Sequence, residues 1–288
     1  MKLLLGSNTF KSNSRQDIAV ESWKHLKSIF PDNIDIVDVQ FKGIEFNNHY
    51  NLKVLPSLLM YSKEYCDGDK ELPIVQDILR VLHEHAKENG YTHWGFVNSD
   101  IIVMPNLMAY LKEKDISSMA CSRIDISPIS SLSQILNKEF SGNFRWEPAG
   151  FDLWVFNTDW FEKNKKDMLN DIMFLGMPEF DVLLTGQMMI TDPTFELHNN
   201  YPPKIFHQMH QSTWVNKDIP EKQWNEDQIK NNRFNQLVYN IMYYHLQYNL
   251  CKRTPWGRFT DIPDGEKEFT KNYFHAMNLN VENIIHPV

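Results

Sequence analysis

The stretch Tyr91-Thr-His-Trp-Gly-Phe-Val-Asn-Ser-Asp-Ile-Ile-Val103 decides the fold. It starts as a buried strand, turns at Asn98-Ser99-Asp100, and continues as a short apolar run. In an α/β sheet, ligands bind outside the carboxyl ends of the parallel strands. A carboxylate at that place can hold a divalent metal ion, and the ion can hold a diphosphate. We therefore take Asp100 as the candidate chemical centre.

The segments before this stretch predict the start of a parallel sheet. Residues 2–5 predict a first strand, and residues 34–39 predict a second one. Between them, apolar residues recur at three and four positions over 15–29, which predicts a helix with Ser12 or Ser14 as its cap. The order strand, helix, strand is typical of a parallel α/β sheet.

The rest of the chain continues the alternation of helices and strands. Residues 41–72 are rich in loop-forming residues, and we expect an irregular segment there. Ile190-Thr191 is expected to open a strand. The remaining predicted elements are helices at 74–88, 105–114, 159–170 and 180–189, and strands at 117–122 and 151–156.

The predicted class is α/β, with a Rossmann-like, mostly parallel central sheet flanked by helices. We expect one catalytic domain over residues 1–218. Residues 219–288 are richer in Asn, Gln, Tyr and charge, and predict a helical C-terminal extension packed on that domain.

Composition limits the partners. The chain has 288 residues and a formal net charge of −8, which argues against nucleic acid as a partner. Three widely spaced cysteines suit reduced thiols in the cytoplasm. No apolar run approaches the roughly 20 residues of a membrane span. We expect a soluble cytoplasmic protein, with peripheral association at the inner face of the membrane left open.

Two histidines form a second candidate group. His207 and His210 are three residues apart, and neutral imidazoles at this spacing can converge on one metal ion. Ordinary packing or surface histidines are the alternative. The Asn98-Ser99-Asp100 turn is ambiguous in the same way, because Asp100 can also be a simple turn cap.

Further candidates are carboxylates in apolar surroundings and cations that are scarce in an acidic chain. Asp152 and Asp181 each follow a Phe in a segment that looks buried, where a carboxylate is costly unless paired or functional. Arg123 follows an apparent strand, from which it can reach a phosphate or a sugar. Arg15 can equally be a surface ion-pair residue. Trp154 can stack on a sugar or belong to the core.

Taken together, four segments resemble bacterial glycosyltransferases of the GT-A fold. They are a turn similar to the DXD metal motif at 96–103, a Gly-x-Asp strand at 149–156, a Gly-x-Pro-x-x-Asp helix start at 175–181, and the histidine pair at 205–210. The resemblance covers about residues 1–215.

The resemblance implies a role for each candidate. Asp100, with His207 or His210, would hold Mn²⁺ or Mg²⁺ at the donor diphosphate. Asp181 would be the general base of an inverting transfer. The implied donor-binding residues are Ser7, Asn8, Arg15, Asn98, Ser99 and Arg123, and the implied acceptor-side residues are Gly150, Asp152 and Trp154. The partners would be a nucleotide-sugar donor and a glycan or lipid-linked acceptor, in the synthesis of a surface polysaccharide.

Two features depart from the motif and leave other functions open. Asn98 stands where the first acidic residue of DXD is expected, and Phe180 stands where many inverting enzymes carry Glu. A non-catalytic glycan- or nucleotide-binding protein on the same scaffold is therefore one alternative. A sugar-nucleotide pyrophosphorylase is another, although the loop after the first strand has only one Gly and one Lys.

Overall fold

The computed structural model describes residues 1–10, 13–43, 48–61, 72–140, 145–170, 173–176, 180–198 and 202–209, with the backbone alone at 145–149, 182 and 190. Its strands are β1 (Leu3–Ser7), β2 (Ile34–Phe41), β3 (Lys53–Leu58), β4 (His93–Val97), β5 (Ile101–Val103), β6 (Ser118–Ile126), β7 (Arg145–Asn157), β8 (Glu196–His198) and β9 (Ile205–Gln208). Its helices are α1 (Ser14–Ile29), α2 (Val75–Glu88), α3 (Asn106–Glu113), α4 (Leu132–Leu136), α5 (Thr158–Met168) and α6 (Phe180–Thr191).

The described strands form one mixed sheet in the order β3-β2-β1-β4-β7-β6-β9-β5, with β8 beside β6. Strands β3, β2, β1 and β4 are parallel. Strand β7 runs antiparallel to both β4 and β6, while β8 and β9 run parallel to β6. The short β5 is antiparallel to β9. The predicted class, a mostly parallel α/β sheet flanked by helices, is confirmed.

Two hydrophobic layers cover the two faces of the sheet. Leu4, Trp94 and Phe96 pack with α2, α5 and α6 on one face. Leu3 and Leu5 pack with α1 and α3 on the other. Because neighbouring residues of a strand point to opposite faces, the run Leu3-Leu4-Leu5 contributes side chains to both hydrophobic layers, as expected of a strand buried on both sides.

Helix α1 begins one position away from the predicted caps. The Asn13 side chain accepts hydrogen bonds from the backbone N–H groups of Arg15 and Gln16. Ser14 is the first helical residue, so the prediction of a Ser14 cap is wrong, and Ser12 lies outside the described residues. Asn and Ser are nearly equivalent caps, which is why the sequence alone did not separate them.

Two other predicted elements need correction. The segment 41–72, expected to be irregular, contains β3, an edge strand that pairs only with β2. Pro56 obscured it, although an edge strand tolerates proline because one side of its backbone needs no sheet partner. Ile190 and Thr191, expected to open a strand, are the end of α6.

The predicted extension at 219–288 lies outside the described residues, so it and the boundary at 218 remain predictions. Among the described helices, none combines the length and the apolar character that a membrane crossing requires.

The buried His83 makes stability depend on pH. Its ring lies 4.9 Å from that of Phe161 in the α2–α5 layer, and burial lowers its pKa from the ordinary 6.5, against the opposing attraction of Glu162. The unfolded chain therefore binds a proton at His83 more readily than the folded chain does. Stability from this residue is present above about pH 6.5 and is lost as the pH falls below it.

We expect the His83→Phe variant to lose less stability than the wild type between pH 7 and pH 5. The ring fills a similar volume and carries no titrating group. Urea unfolding at the two pH values measures the difference. Equal losses in the two proteins would contradict a role for His83.

Candidate functional site

The candidate site lies at one edge of the sheet, which we call the carboxyl edge. Strands β1, β2, β4, β6 and β9 all end there, while the antiparallel β7 runs away from it. The residues at these strand ends are thereby brought close together, although they are far apart in sequence.

His207 links two carboxylates at this edge. Its Nδ1 lies 2.8 Å from Asp125 Oδ1, and its Nε2 lies 3.6 Å from Asp100 Oδ2. Burial alone would lower the pKa of His207, but the flanking Asp100 and Asp125 carboxylates raise it to about 9. For Asp125, burial alone would raise the pKa, because it disfavours the charged carboxylate. The hydrogen bond from His207 and the charge of Arg123 outweigh burial and hold the pKa of Asp125 below its usual value.

Arg123 links Asp125 to a third carboxylate. Its Nε donates to Asp125 Oδ1 at 3.0 Å, and its Nη1 donates to Asp152 Oδ2 at 2.6 Å. Burial would lower the pKa of this guanidinium, but Asp152 and Asp125 outweigh that effect and raise it, with a smaller contribution from Asp181. Arg123 is therefore held as a cation between two acids, and Asp181 is close enough to feel its charge.

Asn98 closes the arrangement. Its side-chain Nδ2 donates to Asp152 Oδ1, and its backbone N–H donates to the Asp152 carbonyl at 3.0 Å. Asp100 follows two residues later and faces His207. The six residues therefore form a closed set that we call the charged ring: Asn98, Asp100, Arg123, Asp125, Asp152 and His207.

The loop after β1 forms the other half of the edge. Ser7 Oγ donates to the Val97 carbonyl at 2.8 Å, and Asn8 Nδ2 donates to the Val39 carbonyl at 2.6 Å. These side chains tie β1 to β4 and to β2. The predicted donor-binding residues Ser7 and Asn8 thus lie at the carboxyl edge, and these hydrogen bonds fix the position of the loop.

A buried carboxylate fixes the same loop. Asp38 accepts hydrogen bonds from the Thr9 backbone N–H at 2.9 Å and from Thr9 Oγ1 at 2.6 Å. Gln40 Nε2 donates to the same carboxylate at 2.9 Å. Burial raises the pKa of Asp38, although these hydrogen bonds oppose the shift. The Asp38 carboxylate therefore fixes the conformation of the loop after β1.

Phe10 and Arg15 stand beyond this loop. The side chain of Gln16 holds the Phe10 backbone on both sides, at 3.3 Å to its N–H and 3.0 Å to its carbonyl, while the Phe10 ring is 56% exposed. Arg15 is in the first turn of α1, and its Nε is buried with no hydrogen-bond partner among the described residues. An exposed aromatic residue and a buried guanidinium N–H without a partner among the described residues thus follow β1 along the chain.

The remaining predicted site residues have different positions. Trp154 is fully buried, and its Nε1 donates to Thr185 Oγ1 at 2.9 Å, so we remove it from the acceptor-side candidates as a core residue. Gly150 lies in β7, two residues before Asp152, and Ser99 is buried in the turn before Asp100. His210 lies outside the described residues.

Sequence reasoning missed Asp125 and Asp38. Asp125 is two residues from Arg123 on β6, and residues two apart on a strand share a face. That periodicity could have identified it. Asp38 is the second acid of β2, near its end, and only the pairing of β2 with β1 brings it to Thr9.

The described residues supply part of a divalent metal site. No group of three His, Cys, Asp or Glu side chains that could hold a metal ion occurs within the parts of the chain that the structure describes. Asp100 and His207 Nε2 nevertheless form a carboxylate–imidazole pair, and Asp125 orients the imidazole through Nδ1, an arrangement common at metal sites. Mg²⁺-type sites commonly use one or two protein carboxylates plus water and substrate phosphates, so Asp100 fits such an ion, whereas the imidazole of His207 is a nitrogen ligand more typical of transition-metal ions.

Comparisons with known proteins give fold-level similarities. No family model matches the chain, and no curated protein matches it. The catalytic domain of Drosophila beta1,4-galactosyltransferase 7, solved with xylobiose, aligns with a TM-score of 0.45 and 9% identity over 81% of this chain and 79% of that chain. Mannosyltransferase PcManGT from Pyrobaculum calidifontis, solved with GDP-Man and Mn²⁺, aligns with a TM-score of 0.38 and 10% identity over 96% and 70%.

The similarities extend beyond glycosyltransferases. The 4-diphosphocytidyl-2C-methyl-D-erythritol synthase from Anaerococcus prevotii aligns with a TM-score of 0.38 and 11% identity over 82% of this chain and 98% of that chain. Because all these TM-scores are below 0.5, we base the function on the residues of the site. The chain is similar in fold, at long distance, to glycosyltransferases.

Proposed function

We propose that this chain is a metal-dependent glycosyltransferase that moves a sugar from a nucleotide-diphosphate donor to a hydroxyl of a glycan or lipid-linked acceptor, with inversion. The observation that carries the proposal is the Asp100–His207 pair at the carboxyl edge, with Asp125 behind the imidazole and Asp181 close to the same charged ring. The proposed setting is the synthesis of a surface polysaccharide on the cytoplasmic side.

Asp100 and His207 would hold the divalent ion. When bound, such an ion neutralises the negative charge that the leaving diphosphate gains. Because the pKa of His207 is raised to about 9, its ring carries a proton on both nitrogens at neutral pH, and the ion would take the place of the Nε2 proton. Asp125 accepts a hydrogen bond only from a protonated nitrogen, so it would keep the remaining proton on Nδ1. Asp125 therefore acts on the metal site through His207.

The donor nucleotide would lie along the end of β1. The exposed ring of Phe10 offers a flat apolar surface to the base. Arg15, in the first turn of α1, would be the charged donor to the phosphates. Ser7 and Asn8 fix the residues just before Phe10, so this part of the proposal gives these two side chains a supporting role.

The acceptor would approach from the side of Asp152 and Asp181. Transfer with inversion forms a bond between the acceptor oxygen and the anomeric carbon while the bond from that carbon to the diphosphate breaks. The acceptor hydroxyl loses its proton, and the Asp181 carboxylate is the group proposed to take it. Gly150, two residues before Asp152, gives β7 a position without a side chain on this approach.

The first test is thermal unfolding with a panel of nucleoside diphosphates, each with and without Mn²⁺. A ligand that binds the native state adds about 2.7 kcal/mol of stability at about 100 times its Kd. We expect one nucleotide to raise Tm only when Mn²⁺ is present, and the increase to vanish in Asp100→Asn.

The matched control for that test is Asp115→Asn, which removes an exposed carboxylate after α3 and should keep the increase. If no nucleotide raises the Tm of the wild type with or without Mn²⁺, the transferase proposal is wrong. If the increase persists in Asp100→Asn, the metal site is assigned to the wrong carboxylate.

A further inference from the structure

Asn98 occupies the position where the resemblance to DXD motifs leads one to expect a carboxylate ligand. In this chain its amide serves another contact: Nδ2 donates to Asp152 Oδ1. The backbone repeats the link, because the Asn98 N–H donates to the Asp152 carbonyl at 3.0 Å. Strands β4 and β7 are therefore joined twice at this point, beyond the last pair of their ladder, Val97 with Leu153.

Asp152 has both carboxylate oxygens engaged. Oδ1 accepts from Asn98 and Oδ2 accepts from Arg123 Nη1 at 2.6 Å, and the residue is only 5% exposed. A carboxylate at position 98 would have no proton to donate and would face this buried carboxylate at contact distance. Two carboxylates sharing one site repel each other, and one of them is forced to stay protonated.

The orientation of the Asn98 amide is set by the same contact. Rotating the amide by half a turn would place Oδ1, an acceptor, against the Asp152 carboxylate, so the rotated form is excluded. With Nδ2 on Asp152, Oδ1 is buried and has no hydrogen-bond partner among the described residues. The side chain at position 98 thus presents a neutral hydrogen-bond acceptor, the amide Oδ1, instead of a carboxylate.

Asn98 also fixes the turn that carries Asp100. The Ile101 N–H donates to the Asn98 carbonyl at 3.2 Å, and Ile101 pairs with His207 across β5 and β9. The turn is therefore held by Asp152 at its first residue and by β9 after its last. Asp100, between these two supports, is aimed at His207.

We propose that Asn98 is a positioning residue whose amide, held by Asp152, aims Asp100 at His207, and that a carboxylate at this position would impair the site. The inference rests on the proposed metal site. The DXD motif would lead one to expect that an acidic residue at position 98 improves metal binding. We expect the opposite: Asn98→Asp weakens Mn²⁺ binding, although it adds a potential ligand. The exchange variant Asn98→Asp with Asp152→Asn restores binding, because one amide and one carboxylate again face each other.

The experiment compares the wild type, the two single variants and the exchange variant. Mn²⁺ affinity is measured by calorimetry, and the urea midpoint is measured in metal-free buffer. We expect Asn98→Asp to bind Mn²⁺ about 10–100-fold more weakly, as for other losses behind a metal ligand, and to unfold at lower urea. The exchange variant should recover most of both losses, a coupling that a double-mutant cycle detects.

Asn164→Asp is the control, because Asn164 Nδ2 donates at 2.8 Å to the neutral Trp160 carbonyl, away from the charged ring. Asn164→Asp should leave the Mn²⁺ affinity unchanged. Combined with Asp152→Asn, it should show no coupling in the double-mutant cycle. Tighter Mn²⁺ binding by Asn98→Asp, or additive losses in the exchange variant, would overturn the proposal. If the wild type binds no Mn²⁺, the proposed metal site fails, while the urea midpoints still decide whether the Asn98–Asp152 contact requires an amide.

Discussion

Asp181→Asn is expected to lower the rate of sugar transfer by about 10²–10⁴-fold, the usual contribution of a general base. Asp181 lies in the first turn of α6, within electrostatic reach of Arg123. An amide in its place cannot accept the acceptor's proton but fills nearly the same volume. Because the proposed donor site is at β1 and at the Asp100–His207 pair, nucleotide binding should be unchanged.

The measurement is the transfer rate with the nucleotide sugar whose base is identified by thermal unfolding. Asp159→Asn is the matched control, since Asp159 is the first-turn acid of the neighbouring α5 and is exposed. It should keep the wild-type rate. A normal rate in Asp181→Asn would rule out this residue as the base. Nucleotide binding without transfer by the wild type, across acceptors, would favour the non-catalytic binding protein.

Arg123→Met is expected to cost about 3–5 kcal/mol of unfolding free energy, the usual loss when one partner of a buried ion pair is removed. Asp125 and Asp152 are both largely buried, and Arg123 contacts both with separate nitrogens. Methionine has a similar length without the charge, so the carboxylates would lose their shared cation. Arg123→Lys should recover only part of the loss, because an ammonium group lacks the planar fork of the guanidinium.

Urea unfolding at neutral pH in metal-free buffer measures these losses. Lys27→Met provides the control, because it breaks the exposed Lys27–Asp35 pair and should cost less than about 1 kcal/mol. A loss as small as this in Arg123→Met would show that the charged ring contributes nothing to stability beyond an ordinary surface pair.

The sequence was most informative at the turn after β4, where it identified Asp100. Arg123 was expected directly after a strand, but β6 continues to Ile126, so Arg123 lies within the strand. The topology nevertheless brings Asp100, Arg123 and His207 to one edge. Their contacts with one another were not predictable. The sequence suggested that Arg123 meets a phosphate, whereas in the structure two carboxylates already bind it.

The errors have specific physical causes. Trp154 was predicted for the acceptor side because an aromatic ring can stack on a sugar, but β7 is covered by hydrophobic layers on both faces and this ring is buried in one of them. Ile190 and Thr191 have strand propensity as β-branched residues, yet they belong to an apolar run long enough to continue as a helix.

The antiparallel strand β7 separates two parts of the carboxyl edge that can change independently in evolution. On one side of the β4–β7 boundary, the parallel strands β1 and β2 bear the Phe10 loop and its supports; on the other, β6, β7 and β9 bear most of the charged ring. Substitutions around Phe10 touch none of the ring's ion pairs. In the proposed site, substitutions around Phe10 would therefore change which nucleobase is bound and leave the ion pairs of the charged ring as they are.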